Sequence, residues 1–393
     1  MIEIKGTLKN YPWGGKHFLP MMLTDDNATQ PVAELWLGDH PSGSATLVDG
    51  SSLAEWITAA PDVRLGERSV ERFGARLPYL LKVLDVKEQL SIQVHPTLEQ
   101  AKQGYAFEQR QAIPMEKRSY KDDNHKPELM LALSDFYLLH GFRNVTGSVT
   151  ELNKYPEFER LAQLLNQQGL EKFVATIFQL PTPNLIELIE PVIERYAQAY
   201  DQSELSKSDP CFWFMRAAKR AGRDGMPLDA GLVMIFIMNL MYVPKGGVVY
   251  QGAGVPHAYL EGQNIELMAN SDNVVRGGLT PKHIDINELL NITTFEPITP
   301  ICLTGRPTED GGIDYLVPED DFELREYRLD AGGRLNTPES QSPCIWFVLS
   351  GEVKLGNQRH YSGAGSAFYQ RPGEFCVFNA SSDCVLYRAS CRV

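Results

Sequence analysis

The chain has no C-x-x-C pair. Its six cysteines, Cys211, Cys302, Cys344, Cys376, Cys384 and Cys391, all lie in the second half without the spacing of a small secreted domain. Each therefore reads as a small buried hydrophobe. Long apolar runs are also missing: the longest uncharged stretch, Ala230 to Pro244, falls short of the ~20 residues of a membrane helix. Met1-Ile2-Glu3-Ile4-Lys5 carries charge where a signal peptide needs an apolar core, so a cytoplasmic protein with no membrane partner is expected. Positive charge is scarce, 37 Lys and Arg against 50 Asp and Glu, and the net charge of −13 argues against a nucleic-acid partner. A small anion is still admissible, because it needs only a local cluster of cations such as Lys82, Lys126, Arg276 and Lys282. With 43% apolar and 22% charged residues the chain is globular, and 393 residues suggest two or three domains.

What is present is a set of short segments carrying metal-ligand chemistry. Leu90-Ser91-Ile92-Gln93-Val94-His95-Pro96 alternates with the period of a strand, which puts Ser91, Gln93 and His95 on one face and Leu90, Ile92 and Val94 on the other. Asp122-Asp123-Asn124-His125-Lys126-Pro127-Glu128 offers a carboxylate beside a Lys and a His, and Pro256-His257-Ala258-Tyr259 presents a His after a Gly/Pro turn. Together they can supply an O/N/O/N donor set. Zinc accepts imidazole nitrogen and carboxylate oxygen at about 2.0–2.2 Å and keeps a position open when it is catalytic.

The texture changes along the chain. Up to about Leu139, short apolar or alternating runs are broken by Gly, Pro and Asp clusters, as in a β-rich domain. From 146 to 241 the period is helical: Phe158, Leu161, Ala162 and Leu165 share one face, as do Phe173, Val174, Ile177 and Phe178. Pro191 should kink or split the helix Leu185 to Tyr196, and Asp229 to Tyr242 reads as a buried helix. Strands resume near Gly247. In the last hundred residues Ile345–Leu349 and Val353–Leu355 flank Ser350-Gly351, a hairpin signal.

The segments Leu90 to Pro96, Asn124 to Glu128, Pro256 to Tyr259 and Asn270 to Lys282 resemble type I phosphomannose isomerase in that order. Tyr11-Pro12-Trp13-Gly14 and Ala33-Glu34-Leu35-Trp36-Leu37-Gly38 fit the same family. The resemblance implies a mainly β fold with a helical insertion: two cupin-type jelly-roll barrels plus an α-helical domain. It divides the chain into a catalytic barrel (1–145 and 242–291), the helical insertion (146–241) and a C-terminal barrel (292–393). The last has His360 as its only histidine and so cannot repeat a metal site.

The resemblance further implies one Zn2+ per chain held by Gln93, His95, Glu128 and His257, and interconversion of mannose 6-phosphate and fructose 6-phosphate. Such chemistry needs an electrophile, a base for a carbon-bound proton and a cationic pocket for phosphate. Arg276 suits the anion, and Lys126, His125 and Glu266 are the alternatives for the base. Ser91, Lys82, Tyr259, Asp272 and Trp13 are candidates for the substrate, a small sugar phosphate. Trp36 reads as core and Glu34 as support behind the site. A monomer is favoured. Two rivals stay open: an iron-dependent oxygenase, which the Gln ligand argues against, and a sugar-phosphate sensor that has kept the pocket.

Overall fold

Period-two alternation sorts one set of strands into a charged face and an apolar face. In Tyr79–Val86, Tyr79, Leu81 and Val83 enter an apolar core, whereas Lys82 and Leu84 face the other way. Glu34 on Glu34–Leu37, Glu128 on Glu128–Ala132 and Glu266 on His257–Ala269 lie on that same side, opposite Leu35, Leu129 and Ile265. The computed structural model describes residues 1–23, 29–337, 339–356, 358 and 360–393, and for residues 222–224 the backbone alone.

These strands belong to a ten-stranded antiparallel sheet in which His257–Ala269 is central, pairing with Tyr79–Val86, Glu128–Ala132, Phe136–Phe142 and Gln93–Val94. An eight-stranded sheet packs against its apolar face, so that Leu81, Val83 and Leu267 share a core with Ile345, Phe347 and Tyr369. A three-stranded sheet, Arg334–Asn336, Val377–Ala380 and Val353–Leu355, covers the far side of the eight-stranded one over Trp346, Phe368, Phe378 and Leu386. The molecule is thus mostly sheet with helices, and among the described residues no sheet closes into a barrel.

Several expectations need correcting. Ile2–Lys5 and Thr46–Leu47 are hydrogen-bonded into the eight-stranded sheet beside Ala367–Gln370, so a boundary at residue 292 is crossed by strands from the chain's beginning. Residues 229–242 are not one helix: Gly231–Ile237 is helical, and Met238–Val243 is a strand paired with Phe136–Phe142. Pro191 sits inside one continuous helix, Thr182–Asp201. The break falls instead at Gly169 (φ 76°, ψ 174°) within Glu159–Gln179, a conformation that suits glycine. Ser350-Gly351 turns the chain, but Cys344–Ser350 and Val353–Leu355 belong to different sheets rather than to one hairpin.

The helices between Val145 and Ile237 bury Phe158, Phe173, Ile177, Phe214 and Phe236 against Ile92, Val94 and Ala258 of the strands. That packing fixes the orientation of Gln93–Val94, because Ile92 and Val94 are held by the helices. Leu90 departs from the alternation, lining the cavity with Gln93 rather than joining Ile92.

Candidate metal centre and active site

Three buried side chains converge at one point. Nε2 of His95 lies 3.1 Å from Oε1 of Glu128, and Nε2 of His257 lies 3.4 Å from its Oε2. The other ring nitrogens are committed: Nδ1 of His95 is 2.8 Å from the Asn273 carbonyl, and Nδ1 of His257 is 2.9 Å from the Val255 carbonyl. A carbonyl only accepts, so each Nδ1 carries the proton and each Nε2 of a neutral ring presents a lone pair to the carboxylate. Burial, helped by Lys126, pushes His95 down to about 4, which keeps that ring neutral.

Two nitrogen lone pairs facing a carboxylate repel unless a cation lies between them. His95 Nε2 is buried without a hydrogen-bond partner, so the donor set fits a divalent metal with nitrogen and oxygen ligands. Burial opposes the charge on Glu128, yet the carboxyl is held well below its ordinary range, with the Lys126 ammonium the largest influence against burial.

Beside this point lies a cavity of about 170 Å³ whose walls include Gln93, Glu128, His257, Lys82, Lys126 and Glu266. Lys82 Nζ is 2.8 Å from Glu266 and 3.9 Å from Glu34, and Lys126 Nζ is 3.0 Å from Glu128 Oε1. Burial alone would lower the Lys82 ammonium, but the Glu266 and Glu34 carboxylates raise it above its usual value. Burial raises Glu34, which also accepts a hydrogen bond from Trp36 Nε1.

Tyr259 and Glu266 reach the same cavity although they stand on one strand an odd number of residues apart. The pairing with Phe136–Phe142 slips between Tyr259 and Glu261, and that bulge reverses the parity. Gly262 (φ 134°) completes the bend; a Cβ there would meet the Asp135 carbonyl at 2.7 Å.

Residues 1–145 match the family model described as phosphomannose isomerase type I, catalytic domain. The chain is similar to mannose-6-phosphate isomerase of Escherichia coli (strain K12), 33% identical over 100% of this chain and 98% of that protein. Mannose-6-phosphate isomerase 1 of Arabidopsis thaliana is 32% identical over 98% and 93% of the two chains. The chain belongs to the mannose-6-phosphate isomerase family. Among solved structures, that of mannose 6-phosphate isomerase from Salmonella typhimurium bound to its substrate f6p and zinc superposes with a TM-score of 0.82, at 29% identity and full coverage of both chains.

Other expected residues lie elsewhere. Arg276 is paired through its backbone with Gln93 but lines a neighbouring cavity of about 340 Å³ with Lys117, Arg118, Lys121 and Lys282. His125 is turned away from the metal point: Nε2 is 3.0 Å from Asp321, and its pKa is raised because that contact outweighs burial. Asp272 pairs with His40 at 3.4 Å and Ser42 at 3.3 Å. Trp13 stacks on Tyr11 and packs beside Leu84 and Val86. Neither Asp272, Trp13 nor Ser91 lines the cavity at the metal point.

Two features were not anticipated. Gln251 is paired with Glu128 across strands and fully buried. Nothing in its local sequence marks it. Lys117, Arg118 and Lys121 are signalled, in retrospect, by three cations in five residues.

Proposed function

We propose that this protein interconverts mannose 6-phosphate and fructose 6-phosphate using one zinc ion per chain. The observation that carries the reading is the convergence of His95 and His257 on Glu128 beside a cavity holding Lys82, Lys126 and Glu266. Gln93, His95, Glu128 and His257 would hold the ion; zinc, when bound, supplies a Lewis acid that polarises the sugar carbonyl.

Glu266 is the group we assign to the carbon-bound proton. It is a wall carboxylate, held by Lys82 at 2.8 Å and outside the His95, Glu128 and His257 group. It takes the proton from C2 of the aldose, the C–H electron pair forms the C1–C2 double bond, and the C1 oxygen gains a proton. Return of the proton to C1 and loss of the hydroxyl proton at C2 give the ketose. Lys126, beside Glu128, is positioned to donate to the sugar oxygens as negative charge develops. Tyr259 brings a buried hydroxyl to the cavity, and burial lifts its pKa well above the usual phenol value, so it stays a donor.

The neighbouring cationic cavity suits the phosphate. Burial lowers Lys282, and the charges of Arg276 and Lys121 lower it further, a repulsion that a bound anion relieves. The shared core of two sheets and the helices packed beside Gln93–Val94 support reading the fold as two cupin-type jelly rolls plus a helical domain. Six free thiols support a cytoplasmic location, and a monomer is our reading of the assembly.

Solvent exchange of the C2 proton of mannose 6-phosphate tests the assignment of the base. Glu266→Gln should lose exchange while keeping its zinc. Retained exchange in that variant would transfer the role to Lys126.

A further inference from the structure

The C-terminal sandwich contains a buried cation without a counter-ion among the described residues. Arg388 is 8% exposed and is the one arginine among the described residues in the buried class. The other two buried Lys or Arg side chains, Lys82 and Lys126, each have a carboxylate within 3.0 Å. No carboxylate of the described residues pairs with Arg388, and its buried Nε has no hydrogen-bond partner. Trp346 lies 5.9 Å away by ring centroid, at the edge of cation–π range.

The neighbours sharpen the contrast. Arg325 stands directly opposite Arg388 on the adjacent antiparallel strand, where like charges repel. Arg325 is neutralised by Asp310 at 2.9 Å and Asp314 at 2.8 Å, and Arg392 by Glu323 at 3.0 Å. Among the described residues Arg388 has no such partner. A guanidinium does not lose its proton in proteins, so this charge is met either by solvent or by an anion from outside the chain.

Arg388 borders a cavity of about 390 Å³ together with Ser340, Ser342, Ser390 and Glu323. This cavity shares no lining residue with the one at the metal point. We infer that it is a second ligand site, whose ligand brings a phosphate group to the Arg388 guanidinium and hydroxyls to the Glu323 carboxylate and the serines. The planar fork of the guanidinium matches two phosphate oxygens, and the wall carboxylate accepts from neutral hydroxyls while disfavouring a second anionic group. The ligand class is therefore a small phosphate monoester with neighbouring hydroxyls.

The test is calorimetric titration of the zinc-loaded full chain with inorganic phosphate, for the wild type, Arg388→Met and Arg388→Lys. Arg388→Met should bind one equivalent fewer than the wild type while its isomerase activity is unchanged. Arg388→Lys keeps the charge but loses the fork and should weaken that equivalent roughly tenfold; it also gives the answer if the Met variant does not fold. Identical stoichiometry and affinity in the wild type and the variants would overturn the proposal. So would a wild type with no Arg388-dependent equivalent, as would follow if the exposed Glu339 swings onto Arg388.

Discussion

The two sheet interiors of this molecule are filled in opposite ways. Facing the metal point, antiparallel strands and the residues flanking them present Lys82, Lys126, Glu128, Glu266 and two imidazoles, all buried. Between the eight-stranded and three-stranded sheets, the interior is Trp346, Phe368, Phe378, Val348 and Leu386. Buried ion pairs contribute little net stability and cost much when broken, whereas buried aromatics contribute through area and packing. The comparison assigns chemistry to the first interior and stability to the second. Arg388, at the margin of the aromatic interior, is the exception that motivates a ligand there.

The largest expected effect is chemical. Glu128→Gln should lose metal and lower turnover by about 10²–10³-fold, as expected when a main electrostatic stabiliser of the transition state goes. Metal analysis and rate together check it; full zinc and full rate would remove Glu128 from the centre. Next, Trp346→Ala should destabilise by about 3–5 kcal/mol through cavity formation, with kcat unchanged below the melting range. A loss of kcat without loss of stability would break the division between interiors.

Acid should act on the catalytic interior. Burial lowers His140, paired in register with His257, to about 4 from an ordinary 6.5. The folded chain therefore binds fewer protons there than the unfolded chain, and the stability present above pH 6.5 is lost as pH falls toward 4. The contribution is on the order of 3 kcal/mol, so denaturant titrations of metal-free His140→Gln should show a shallower decline than the wild type over that window. An equal decline would place the acid sensitivity elsewhere. The smallest effect is expected far from both interiors: Gly169→Ala should cost about 1–3 kcal/mol of stability, from backbone conformation alone, and leave zinc and rate intact.

Much of the candidate site was legible in the sequence because the residues proposed to hold the metal sit in short segments with their own turn chemistry. Gln93 and His95 flank a core residue, Glu128 follows Lys126-Pro127, and His257 follows a proline. What escaped is non-local. The partner of His125 is Asp321, from the far end of the chain, and no local pattern announces it. The bulge after Tyr259 decides which side chains of a 13-residue strand share the cavity with Glu266, and alternation alone gives the wrong parity. Ile2–Lys5 is a strand whose pairing with residues 367–369 is set by tertiary packing. Propensity also misplaced the helix break, since Pro191 was accommodated and Gly169 was not suspected.

The most direct measurement is formation of fructose 6-phosphate from mannose 6-phosphate by the wild type after chelation and again after zinc is restored. The account expects activity to vanish and then to return in proportion to zinc bound, up to one ion per chain. Full activity in the chelated protein, or none in a folded zinc-loaded one, would contradict it.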